Sequence, residues 1–71
     1  MPEEIQAVLF DNKMFNTRSA ERELRKMGVT PMKKVHKTTN KLRYRIQDPK
    51  KFSKLRTKPT NKGVEVIVGW R

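Results

Sequence analysis

The 71-residue chain has no cysteine, which removes any disulfide framework and any thiolate metal site. Its three glycines, Gly28, Gly63 and Gly69, stand alone, so no glycine-rich loop is available to cradle a phosphate. Apolar runs stop at about five residues, where a membrane-spanning helix needs roughly 20. Ser19 and Ser53 have no nucleophile elbow around them, and Asp11 and Asp48 fall where turns and caps account for them. His36 is the only histidine, and a lone imidazole without cysteine or a second histidine is a poor start for a metal site. These absences predict a protein with no catalytic residue, no metal and no cofactor.

Acidic side chains are the most unevenly missing class. Residues 33 to 62 hold twelve Lys and Arg and a single acid, Asp48, so that block carries the whole formal charge of +11. Residues 1 to 31 have five basic and five acidic side chains and sum to zero, as do the last nine residues. The basic residues are Lys33, Lys34 and Lys37, then Lys41, Arg43 and Arg45, then Lys50, Lys51 and Lys54, then Arg56, Lys58 and Lys62. An ordinary solvated face mixes signs, and a small domain typically carries a net charge of about 2–8. The excess predicts a field that attracts polyanions.

What is present is periodic, so a mean hydropathy of −0.92 does not signal disorder here. Ile5 to Phe10 is a short apolar run and reads as a buried strand. Thr17 reads as an N-cap, Ala20, Leu24 and Met27 as one apolar helical stripe, and Gly28 as the stop. Arg18, Arg22 and Lys26 form a wet row on that helix. Met32 to Thr38 and Leu42 to Gln47 read as a hairpin, with a loop at Thr39-Asn40-Lys41 slightly longer than the tightest kind. Asp48 and Pro49 open a short helix to Leu55, and Thr57 to Lys62 reads as a basic loop. Val64 to Trp70 alternates and closes the sheet, with Trp70 on the core face.

The predicted architecture is a single α+β domain over residues 1–71, in the order strand, helix, strand, strand, short helix, strand. The helix packs on one face of an antiparallel or mixed sheet. That order also matches the split βαβ, or ferredoxin-like, plan.

Arg43-Tyr44-Arg45 interleaves basic and aromatic residues, the pattern of a phosphate grip with base stacking. Alternation sends Tyr44 inward between Leu42 and Ile46 and leaves the arginines outside, roughly 6–7 Å apart. Arginine matches phosphate bidentately, so Arg43 and Arg45 are the first candidates for contacts, with the lysines supplying the surrounding field.

Several short motifs run through most of the chain: Phe10-Asp11 ending a strand, Thr17 to Ala20 opening a helix, and Arg43 to Pro49 in a basic hairpin. Lys51-Phe52, Arg56 to Lys58 and a closing strand Val64 to Gly69 complete the set. In these the chain resembles a group of small uncharacterised basic proteins of large double-stranded DNA viruses and phages. The resemblance implies a setting rich in nucleic acid and names no catalytic residue. The opening residues lack the basic-then-apolar pattern of a secretory signal, so the expected location is host cytoplasm or nucleus, or the inside of a virion.

The expectation that follows is a non-enzymatic protein binding DNA or RNA through phosphates, with low sequence specificity. The alternative is a viral interaction protein, inhibitor or minor virion component docking on an acidic protein surface. In that case the near-neutral first half, with Arg22, Glu23 and Lys26, offers a second docking face.

Overall fold

The computed structural model describes residues 3–32, 35–61 and 63–70. The first apolar run forms strand β1, Glu4–Asp11, and β1 becomes the middle strand of a sheet. On one side of it lie β3, Lys41–Arg45, and the two-residue β2, His36–Lys37. On the other side lie β5, Val64–Trp70, and the edge strand β4, Lys54–Asn61. The order across the sheet is β2-β3-β1-β5-β4, and every neighbouring pair is antiparallel. Between β1 and β2 runs one helix, α1, Thr17–Met27, which makes this an α+β architecture.

Register assigns the two faces, because residues directly opposite on paired strands share a side. Val8 stands between Tyr44 and Val66, and Phe10 between Leu42 and Val64. Ala20 and Leu24 of α1 close over Val8, Phe10, Leu42, Tyr44 and Val64 to form the core, with Ile5, Phe15, Val29, Val35 and Ile46 at its margin. The Phe10 ring meets Phe15 and Tyr44 edge-on at 5.1 and 5.7 Å, the arrangement that ring quadrupoles favour.

The ends of α1 are set by its own residues. The N-cap is Asn16, one residue before the expected Thr17. Its Oδ1 accepts from the Ser19 amide at 2.9 Å, and Ser19 Oγ accepts from the Asn16 amide at 3.1 Å. This reciprocal box satisfies two donors where a lone threonine satisfies one. At the other end Gly28 takes φ 75°, and its amide and that of Val29 donate to Arg25 O and Leu24 O. That reversal folds Val29 back onto the core and leaves Met27 exposed, so the expected apolar stripe stops at Leu24.

The hairpin is tighter than expected. Thr38 N donates to Lys41 O at 2.8 Å and Thr38 Oγ1 accepts from Lys41 N at 3.0 Å, so only Thr39 and Asn40 form the loop. Of the strand expected from Met32 to Thr38, the described residues show His36–Lys37 paired as strand, and Met32 N reaches Arg45 O at 2.8 Å.

The largest departure is β4. Pro49–Lys51 is a single 3-10 turn, capped by Asp48 Oδ1 on Lys50 N at 2.9 Å, and the expected helix to Leu55 ends there. The stretch read as the end of a helix and a basic loop is instead a strand paired along β5. Pro59 is tolerated because β4 is an edge strand, where a missing amide donor costs no ladder bond on the open side. Among the described residues the sheet therefore has five strands, and the connection after β3 is a 3-10 turn followed by an edge strand where the split βαβ plan has a second helix.

That connection crosses beneath β1. Ile46 N and Gln47 N both donate to Gln6 O, at 2.7 and 3.0 Å, and Gln6 Nε2 donates to Gln47 O at 2.8 Å. Gln6 is wholly buried and sits where β1 slips register against β5. The connection then lays Phe52 over Gly69, on the face opposite α1. A Cβ at Gly69 would stand 2.6 Å from the Phe52 ring, so only glycine leaves room. Leu9 and Ile67 lie half-buried on this same open face, with Leu55 44% exposed.

Candidate nucleic-acid interface

The sheet divides the basic block in two. Arg43 pairs with Leu9 and Arg45 with Ala7, which puts both arginines on the open face. Lys41 and His36 share that face, His36 directly opposite Arg43. Lys54, Arg56 and Lys58 stand opposite Trp70, Val68 and Val66, so the β4 cations project on the α1 side. Lys37 does too, opposite Leu42. Three strand spacings, about 14 Å, separate β3 from β4. Lys50 and Lys51 are exposed on the 3-10 turn between the two groups. Lys33, Lys34 and Lys62 lie outside the described residues.

Carboxylates hold two of these cations. Lys41 Nζ bonds Glu65 Oε1 across the open face, and Lys58 Nζ bonds Glu3 Oε2 at 2.7 Å. The hydrogen bond to Glu65 raises the Lys41 pKa above its ordinary 10.5, against a smaller opposing effect of burial. Among the described residues, Lys37, Arg43, Arg45, Lys50, Lys51, Lys54 and Arg56 have no carboxylate within ion-pair distance. Arg43 is half-buried, and its Nε is buried with no hydrogen-bond partner among the described residues.

Tyr44 is a core residue, as alternation predicts. It is 2% exposed, and its hydroxyl donates to Thr17 O at 3.5 Å. Burial, aided by the charge of Glu21, raises its pKa above 10.0. The residues set aside as structural are engaged structurally. Asp11 Oδ1 accepts from Lys13 N at 2.8 Å, Ser19 caps α1, and Ser53 Oγ donates to Trp70 O at 3.1 Å. No three of the described His, Asp and Glu side chains gather as metal ligands. No described helix is long and apolar enough to cross a membrane.

One feature departs from the sequence reading and a second goes beyond it. Trp70 was expected in the core but lies outside it, partly exposed. It lines a depression of about 650 Å³ with Lys54, Leu55 and Arg56. On β5 Val64, Val66 and Val68 are buried, and Trp70, at the end of the strand, is the residue of that face that emerges. The second feature is on α1, where Arg18, Arg22 and Arg25, with Thr17 and Glu21, line a shallow depression of about 330 Å³. These arginines belong to the charge-balanced half of the chain, so a count of net charge passes over them. Comparison of the chain with protein-family models, with curated proteins and with solved structures finds no match to any.

Proposed function

We propose that this chain is a nucleic-acid-binding protein without enzymatic activity, which grips phosphates with little sequence preference. One observation carries the reading: seven cations of the basic block have no carboxylate partner among the described residues, and most sit on hydrogen-bonded strands anchored to a core. Charges held in this way form a fixed array. Arg43 and Arg45 make one grip, two guanidinium groups on the same face of β3. Lys54 and Arg56 make a second, on the other side of the sheet. Lys50 and Lys51 link them. The likeness to small basic proteins of large DNA viruses and phages supports a setting inside an infected cell or a virion.

The test is a titration of labelled duplex DNA, single-stranded DNA and RNA over a range of salt. Log K should fall linearly with log salt, by about 0.9 per duplex phosphate neutralised, and four to six contacts give a slope of about −4 to −5. Absence of binding at low salt, or indifference to salt, overturns the reading.

One observation favours an acidic protein partner as the second reading. The open face carries Leu9, Ile67 and Leu55 beside Arg43 and Arg45, an apolar strip with a cationic border. A pull-down whose partners survive nuclease treatment supports this second reading; loss of every partner supports the first.

A further inference from the structure

We infer that the depression beside Trp70 is a stacking site for an unpaired base, which makes single-stranded nucleic acid the preferred ligand. This rests on the nucleic-acid reading above and extends it. Trp70 ends β5 outside the core, with its indole partly exposed. Lys54 is its direct cross-strand partner, and Arg56 follows two residues along on the same side of β4. Leu55 completes the lining, and among the described residues no carboxylate contributes to it. Among the described residues no strand lies beyond β4, so the depression opens at the sheet edge. An aromatic ring with two cations beside it on the neighbouring strand fits one base face with the adjoining phosphates along β4. Base pairs in a duplex stack on one another and offer no free face, so this site discriminates against duplex. The other cationic groups do not. Arg43 and Arg45 flank Tyr44, which is buried and cannot stack.

Trp70 is the only tryptophan in the chain, so its emission reports on this site alone. The experiment follows a short oligothymidylate and a duplex of equal length by labelled-strand anisotropy and by tryptophan emission. Single strand should quench the emission along the same isotherm as the anisotropy, and duplex should bind without quenching. Trp70→Ala should weaken single-strand binding about tenfold or more and leave duplex binding unchanged. Trp70→Phe, which keeps a ring and shields the fold, should keep most of the single-strand affinity. Single-strand binding without quenching, or equal losses for both ligands in both variants, overturns the inference. So does equal quenching by an acidic peptide, which would make this a protein site. Failure of the underlying reading looks different: no anisotropy change with either nucleic acid.

Discussion

At the scale of single residues, two side chains make the fold sensitive to alkali. Lys41 has its pKa raised by Glu65, and Tyr44 has its pKa raised by burial. For both groups the folded value lies above the unfolded one, so the folded chain holds its protons longer. Both contributions are fully present below the unfolded values of 10.0 and 10.5 and fade as pH rises through the folded values. Chemical denaturation should therefore give a midpoint that declines above about pH 10. Tyr44→Phe should remove part of that decline, because phenylalanine cannot ionise. An unaltered decline in that variant would show that Tyr44 ionises alike in both states. Tyr44 also shows what a single residue discloses in advance. Its place between Leu42 and Ile46 at strand period sends it inward, and the structure buries it. Trp70 sits at the same period with Val64, Val66 and Val68, yet emerges from the core. Period specifies a face of the sheet; whether anything covers that face depends on where the helix lies.

At the scale of elements, the connection after β3 depends on one missing side chain. Gly69→Ala should cost about 1–3 kcal/mol, since the new methyl meets the Phe52 ring and Leu55 at under 3 Å. A second change, Phe52→Leu, should recover part of the loss by clearing the ring. Urea denaturation of the single and double variants measures both, and a fully additive pair would mean that Phe52 is not what Gly69 makes room for. Elements with strong local signals were legible: β1 from its apolar run, α1 from Ala20, Leu24 and its glycine stop, and β3 and β5 from alternation. β4 was not, because Pro59 and the Lys-Thr-Asn composition read as loop chemistry. Its signal was nevertheless present, as Lys54, Arg56 and Lys58 alternate with Leu55, Thr57 and Pro59. Pairing with β5 supplies the hydrogen bonds that local propensity does not promise.

At the scale of the molecule, a block that is continuous in sequence becomes two groups in space. The charge count foretold a cationic protein, but strand order decides which charges can act together. Two double variants separate the groups: Arg43→Glu with Arg45→Glu, and Lys54→Glu with Arg56→Glu. Each should reduce the steepness of the salt dependence by about 1 per lost phosphate contact, and their effects should add. A pair that leaves the slope unchanged marks that group as ordinary surface. Lysines on β4 have a structural use as well, since charge on an edge strand discourages pairing with another chain.

The central place of β1 has a consequence for how the chain comes to be folded. Both of its neighbours, β3 and β5, come later in sequence, and β5 ends at Trp70. At about 5–20 residues per second, some 3–12 s pass between the synthesis of β1 and of the last strand beside it. Through that interval α1 can cover one side of β1, but the edge towards β5 waits for its partner. Folding then closes on distant pairings, the slow kind. The basic block is translated during that wait, and mutual repulsion between unfinished chains keeps their bare β1 edges apart.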